Sequence, residues 1–288
     1  MADAVGSQSI RGENINSVVK VFAQKKFKLK PLLQQISSNK WTETYYKEDP
    51  TILTAAGTRN IKEIGRLSAF PTVERSWTKT SAEHYKYGDE GIISMEDILT
   101  DAINVQARTI NGIAESIVNA IDIAIYAKLT AETSTSGTVA SVAAWDAAVA
   151  STRDPIQDIL RGIEAMTENN YDALEGGVLL LNPHDYASLM MNSKVINNPS
   201  FKTADIVSNG RVGQVCGLHI VVTTSVTADE AMIIINQRTA TWQSVVGMTT
   251  AIIPEPGIST LIRSWEIGQI QITDPKAIYT ITNTTIEA

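Results

Sequence analysis

The stretch SMEDILTDAINVQARTINGIAESIVNAIDIAIYAKLTA, residues 94–131, decides how the fold is interpreted, because it predicts one long amphipathic helix. Ser94 places a hydroxyl at the N-cap, and Asp97 follows three residues later, where its charge suits the positive end of a helix. Apolar residues then recur at steps of three, four and seven, at Leu99, Ile103, Ile110, Ile113, Ile117, Ile121 and Ile125. At 1.5 Å per residue the helix would be roughly 50 Å long, far longer than an average helix and suited to a structural strut.

The segment before this helix is unusually aromatic for a polar stretch. Its seven aromatic residues are Trp41, Tyr45, Tyr46, Phe70, Trp77, Tyr85 and Tyr87. Within it, TVERSWTKTSAEHYKYG (residues 72–88) alternates in the manner of a two-stranded ribbon. A ribbon this polar has no core of its own, so either the rest of the chain or another copy must cover it. Aromatic residues mixed with arginine are enriched where protein surfaces meet, which favours another copy.

The first 40 residues predict an extended arm that contains one short amphipathic helix. The arm becomes basic towards its end, at Lys20, Lys25, Lys26, Lys28 and Lys30. Two interpretations stay open: a solvated polar face, which is what most charge runs form, or a local patch that contacts nucleic acid or an acidic neighbour.

Residues after the long helix predict a compact α+β unit followed by sheet. Asp154-Pro155 predicts a helix start with an N-cap and a proline at the first helical position, and Asn182-Pro183 predicts a second start. Between them GGVLLL is typical of a short buried strand. From Gly210 onward the periodicity falls towards two, so the last third should be mainly β-sheet.

Composition excludes several classes of protein. The chain has 24 Lys and Arg against 31 Asp and Glu, a formal net charge of −7, which argues against a dedicated duplex-DNA reader. One cysteine, Cys216, excludes an intrachain disulfide, and three histidines argue against an all-protein zinc site. No apolar run reaches the roughly 20 residues that span a bilayer, and the start resembles no signal peptide, so we expect no membrane partner.

No catalytic motif emerges from the sequence. Gly210, Gly213 and Gly217 precede a strand, whereas a dinucleotide loop follows one, so we interpret them as turn residues. His184 and Asp185 fit a helix start better than a base with its orienting acid. Cys216 stands at the entry to a strand, where a cysteine is usually a small buried hydrophobe. We therefore predict neither enzyme activity nor a bound cofactor or metal.

Four stretches, taken in order, carry a family resemblance. They are KYGDEGIISMEDI (86–98), GGVLLLNPHDYASLM (176–190), GRVGQVCGLHIVVTTSV (210–226) and AMIIIN (231–236). After a basic arm and an aromatic ribbon, this order resembles the major capsid proteins of tailed double-stranded DNA phages, whose fold is often called HK-ninety-seven-like. The likeness covers roughly residue 40 to the end.

The resemblance implies an α+β fold with an extended β-hairpin loop, a long spine helix, an axial domain and a peripheral domain. The implied domains are an N-terminal arm at 1–40, the extended loop and flanking strands at 41–93, the spine helix at 94–135, the axial domain at 136–250, and strands returning to the peripheral domain at 251–288.

The resemblance also implies a function in assembly. Copies would close into hexamers and pentamers of an icosahedral shell around packaged double-stranded DNA, which is held without sequence specificity. Each extended loop would lie across the adjacent subunit, and its interface residues would be Arg59, Lys62, Arg66, Phe70, Arg75, Trp77, Lys79 and Tyr85. The arm residues that would face nucleic acid are Lys20, Lys25, Lys26, Lys28 and Lys30. A portal and a separate scaffolding protein would be further partners, and the protein would reside in the virion after assembly in the host cytoplasm.

Three alternatives stay open at this point. An encapsulin-like nanocompartment would use the same fold around a cargo protein. An enzyme of unrecognised class would draw on Asp185, His184 or Cys216 in a single deep pocket. A duplex-DNA-binding module is the weakest alternative, because the chain is acidic and shows no helix-turn-helix or basic helix.

Overall fold

The chain forms two compact units. The computed structural model describes residues 19, 20, 23, 27–48, 64–69, 77–100, 105–196 and 213–286. Within those residues, the first unit takes in Met1–Glu43, Ser81–Ala127 and Thr241–Gln271. The second unit takes in Thr44–Thr80, Lys128–Ala240 and Ile272–Ala288.

The first unit contains a four-stranded sheet in the order β1-β10-β11-β4. Its strands are β1 (Gln34–Ser37), β4 (Tyr85–Ser94), β10 (Ala240–Glu255) and β11 (Ser259–Ile272). Strand β1 pairs in parallel with β10, and β4 pairs antiparallel with β11 from Ser94 opposite Ser259 to Tyr85 opposite Gly268. The two long strands β10 and β11 therefore form the centre of the sheet, and β1 and β4 are its edge strands.

Helices α1 (Met95–Thr100) and α2 (Val105–Thr130) follow β4. The predicted cap is confirmed, because the Ser94 hydroxyl accepts a hydrogen bond from the Asp97 amide at 3.1 Å. The predicted core face of the long helix is also confirmed, with buried side chains at Ile110, Ile113, Ile117, Ile121 and Ile125. Leu99 departs from that face. It is 75% exposed, because it belongs to the separate six-residue helix α1, while Ile103 lies outside the described residues.

Strand β4 lies directly against α2. A Cβ added to Gly91 would stand 2.4 Å from the Thr109 Cγ2 atom, so this position accepts only glycine without a shift of the helix. The neighbouring Ile93 is buried on the same side. Among the described helices, α2 alone is long and apolar enough to cross a membrane, but half of its most apolar stretch is buried within the protein, as in the core helix of a globular unit.

The second unit contains a six-stranded mixed sheet in the order β5-β12-β9-β6-β8-β7. Its strands are β5 (Gly137–Ala140), β6 (Gly177–Leu181), β7 (Gln214–Val215), β8 (Leu218–Val222), β9 (Glu230–Ile235) and β12 (Ile278–Thr282). All five residues of β6 are buried, which confirms the predicted core strand. Cys216 and Gly217, both at positive φ, form the two-residue turn between β7 and β8, so the turn interpretation holds at Gly217.

Strand β12 differs from the expected domain arrangement. The resemblance implied that residues 251–288 return to the peripheral domain, but Ile278–Thr282 pairs with β5 and β9 in the second unit. Four of its five residues are buried, and the strand lies between β5 and β9 in the sheet. The return to the first unit instead begins at Thr241 and ends at Gln271.

Helices of the second unit begin where the sequence predicts. Helix α3 (Pro155–Glu168) starts with the Asp154 carboxylate accepting from the Gln157 amide at 3.3 Å. Helix α4 (Pro183–Met191) starts with the Asn182 side chain accepting from the His184 amide at 3.0 Å, and α5 (Ser193–Ile196) follows it. Ile159 and Met166 of α3 are fully buried, but Leu160 is half exposed.

Candidate assembly interface

The aromatic ribbon consists of strands β2 (Thr42–Glu48) and β3 (Trp77–Glu83), which form a two-stranded sheet. This pairing corrects the sequence interpretation, in which residues 72–88 formed a ribbon among themselves. Strand β3 pairs with the upstream β2, whereas Tyr85–Ser94 pairs with β11. The ribbon therefore joins two segments that are about thirty residues apart in the chain.

One side of the ribbon contacts its own chain. The Tyr45 side chain is half buried and forms a hydrogen bond with the Ile272 backbone, and burial raises the pKa of its phenol. The Lys47 ammonium forms an ion pair with the largely buried Glu132 carboxylate. The protein thus covers these two side chains itself, and another copy is not needed for them.

Two large aromatic rings of the ribbon, and two beside it, are more than half exposed. Tyr46 is 58% exposed, Trp77 is 55% exposed, and Trp41, just before β2, is 56% exposed. Tyr85, at the start of β4, is 60% exposed. Singly exposed apolar residues are common, but a run of tryptophan and tyrosine on one polar ribbon is typical of a protein–protein contact surface.

The predicted interface residues fall into two groups. Arg66, Trp77, Lys79 and Tyr85 are exposed. Arg59, Lys62, Phe70 and Arg75 lie outside the described residues. A contact between copies stays a prediction for both groups.

A polar cluster that the sequence did not reveal holds the base of the ribbon. His84, between β3 and β4, is 2% exposed, and its Nδ1 lies 2.8 Å from the Trp41 carbonyl oxygen. The Glu43 carboxylate accepts hydrogen bonds from the Ser38 hydroxyl and from the Gln243 amide of β10. The Ser38 hydrogen bond is the main cause that lowers the pKa of Glu43. Both ribbon strands therefore leave the first unit from fixed positions.

A shallow cavity of about 280 Å³ opens beside the exposed rings. Its lining residues are Tyr46, Trp77, Arg238, Thr273 and Asp274. The Arg238 Nε donates to the Asp274 carboxylate at 3.0 Å, and its guanidinium carbon lies 4.4 Å from the centre of the Tyr171 ring. The Tyr171 hydroxyl donates to the other Asp274 oxygen at 2.7 Å. Asp274 and Tyr171 are buried, so Arg238 is held in one orientation while about half of its side chain stays in solvent.

The arm is anchored to the first unit, which changes the role expected of one lysine. The Lys30 ammonium forms an ion pair with the buried Glu266 carboxylate, which also accepts from the Trp242 indole at 3.1 Å. The Asp122 carboxylate of α2 accepts from the Lys28 amide at 2.9 Å. Lys30 is therefore paired inside the protein and is not a free cation for nucleic acid.

The other arm lysines are not constrained in this way. The side chains of Lys20 and Lys28 are exposed, and Lys25 and Lys26 lie outside the described residues. Contact with nucleic acid stays a prediction for these four.

The residues considered for catalysis have the burial and the contacts of residues that stabilise the fold. The buried Asp185 carboxylate accepts from the Thr285 hydroxyl at 3.2 Å, and burial raises its pKa. Burial also raises the pKa of the Cys216 thiol, which disfavours the nucleophilic thiolate. Within the described part of the chain, no three His, Cys, Asp or Glu residues lie together in a way that could hold a metal ion.

Comparisons with known proteins agree with one another on the fold. The family model described as phage capsid protein matches residues 77–281. The virus-like particle protein of Pyrococcus furiosus is 15% identical, with a TM-score of 0.66 over 93% of this chain and 98% of that chain. The capsid of cyanophage P-SCSP1u is 12% identical, with a TM-score of 0.67 over 88% and 87%. The mature capsid of bacteriophage PhiM1 is 14% identical, with a TM-score of 0.63 over 91% and 88%. No curated protein sequence matches this chain.

Proposed function

Since this chain belongs to the phage capsid protein family, we propose that its copies assemble through hexamers and pentamers into an icosahedral shell, with the β2–β3 ribbon of each copy lying against a neighbour. The chain is a structural capsid protein with the fold of tailed-phage capsids. Contacts of one surface with a different surface of the next copy form rings where the rotation between copies closes, which is the geometry that capsomers need.

The observation that carries this proposal is the half-exposed aromatic side of the ribbon. Tyr46 and Trp77 are held in place by strands whose other side is tied to the chain at Tyr45 and Lys47. The backbone that carries the rings is therefore held before any partner arrives, so burying the rings costs side-chain entropy but little backbone entropy. The partner in an assembling shell is a second copy of the same chain.

Electron microscopy and sedimentation of the purified protein test the proposal. We expect large closed particles or capsomers from the parent chain, and expect Tyr46→Ser/Trp77→Ser to remain folded as small species. Met191→Ser, which removes an equally exposed apolar side chain outside the ribbon, is the matched control and should still assemble. Normal particles from the double variant would refute the interface. Deleting residues 58–90 is a poorer test, because it also removes the β4 residues that pair with β11.

Double-stranded DNA is the proposed content of the shell, held without specificity through arm lysines such as Lys20 and Lys28. Because Lys30 is paired with Glu266 and the net charge is −7, we expect only weak, salt-sensitive contact. Portal and scaffolding partners and assembly in the host cytoplasm belong to the same proposal.

A second candidate is a shell that encloses protein, the encapsulin-like alternative that the sequence leaves open. The absorbance ratio and nuclease sensitivity of purified particles distinguish the two contents. Particles from infected or induced cells that contain only protein would favour the second candidate.

A further inference from the structure

We propose that the cavity beside Tyr46 and Trp77 receives the proline-rich hairpin tip of a second copy, residues 253–258 (Ile-Pro-Glu-Pro-Gly-Ile). This inference rests on the proposed function, because it names the surface that covers the ribbon in the assembled shell. It is argued from the chemistry of the cavity, the chemistry of the tip, and the exposure of both.

The cavity suits a short peptide segment better than a small-molecule ligand. Its volume of about 280 Å³ lies at the lower limit of ligand pockets, which run from about 300 to 1,000 Å³. Two aromatic rings form one part of the lining, and the fixed guanidinium of Arg238 forms another. Aromatic grooves of this kind bind proline-containing segments, and a fixed arginine fork binds a carboxylate.

The tip between β10 and β11 offers both kinds of group, prolines and a carboxylate. Glu255 stands between Pro254 and Pro256, and the turn is made at Gly257, whose φ is +81°. A backbone hydrogen bond, in which the Ile258 amide donates to the Glu255 carbonyl oxygen at 3.1 Å, closes the turn. The tip is therefore preorganised, so little ordering entropy is lost when it docks.

Neither surface is covered by the residues that the structure describes. All six tip residues are exposed, with Ile258 at 66%, although isoleucine is a residue that a folded protein usually buries. The tip belongs to the first unit and the cavity to the second, so a contact between copies joins two different surfaces and is heterologous. Such a contact does not end at a dimer, and it forms a ring where the rotation between copies closes.

Cross-linking in assembled particles tests the inference. A chain carrying Thr273→Cys in the cavity and Ile258→Cys at the tip, with Cys216→Ser to remove the native thiol, keeps both aromatic rings and both prolines. Treated with a short bis-maleimide, particles should give a ladder from linked dimers upwards on a denaturing gel. The matched control pairs Thr273→Cys with Met191→Cys, an equally exposed position outside the tip, and should give no ladder.

The outcomes separate this inference from the proposed function. Particles that form without a tip-specific ladder, or a control that links equally well, would overturn the docking while leaving shell assembly in place. A parent chain that forms no particles would overturn both. If the cysteine variant itself fails to assemble, Glu255→Lys decides the matter. This substitution should raise the concentration needed for assembly roughly tenfold, because it places a like charge opposite Arg238. The control Glu175→Lys, on an exposed turn, should leave that concentration unchanged. Equal effects of the two substitutions would overturn the inference.

Discussion

Replacing Trp77 by serine should weaken assembly strongly while the protomer stays folded. Trp77 is 55% exposed in the protomer. An aromatic side chain buries up to about 250 Å² in full, so a neighbour that covers the exposed part removes about 130 Å² from water. At about 25 cal/mol per Å² this contributes about 3 kcal/mol to each contact, which is a change of roughly 150-fold in the association constant.

The assay is the concentration at which particles first appear in sedimentation or light scattering, measured beside the thermal unfolding of the unassembled protomer. We expect the threshold for Trp77→Ser to rise by roughly two orders of magnitude, while the free energy of unfolding falls by at most about 3 kcal/mol, since less than half of the side chain is covered in the protomer. Met191→Ser controls for a general loss of apolar surface. An unchanged threshold would refute the assignment of the ribbon. A Trp77→Ser protomer that is already unfolded at the assay temperature would also refute it, because the loss of folding would then explain the loss of assembly.

Three further predictions concern the packing inside each unit, and chemical unfolding tests them. Lys30→Met should cost about 3 kcal/mol, because it leaves the buried Glu266 carboxylate without its cation; adding Glu266→Gln should restore part of the loss, and an additive double variant would contradict the pairing. Gly91→Ala should cost about 1–3 kcal/mol through its clash with α2, whereas Gly112→Ala, with nothing within 4 Å of its added Cβ, should stabilise by about 0.5–1 kcal/mol. Burial raises the pKa of Asp158 in the folded state, so the folded protein holds a proton that the unfolded chain has lost, and stability falls as the pH rises from the ordinary carboxyl value towards the raised one. Asp158→Asn should flatten the unfolding free energy over that window, and an unchanged slope would contradict the burial argument.

Local signals in the sequence were sufficient to predict the element starts and the core strand. A hydroxyl at Ser94, a carboxylate at Asp154 and an amide at Asn182 each satisfy backbone amides within three residues, so neighbours along the chain decide the outcome. The all-apolar GVLLL of β6 is buried for an equally local reason, because such a run is stable only inside a sheet that is covered on both faces.

Contacts between distant residues could not be predicted in this way. The partner of Lys30 is Glu266, 236 residues away, and nothing in the arm distinguishes this lysine from its exposed neighbours. Strand β3 pairs with β2 and β4 pairs with β11, and alternating polarity along residues 72–88 does not distinguish these partners from each other. The Arg238, Asp274 and Tyr171 group likewise joins three segments that carry no common motif.

Hydroxyl-radical footprinting of Tyr46 and Trp77, on protomers and on assembled particles of the same preparation, measures most directly whether one copy covers the aromatic ribbon of another. We expect both rings to react readily in the protomer and to be strongly protected in the particle, while Met191 reacts alike in both. Equal oxidation of the two rings in particle and protomer would contradict the account.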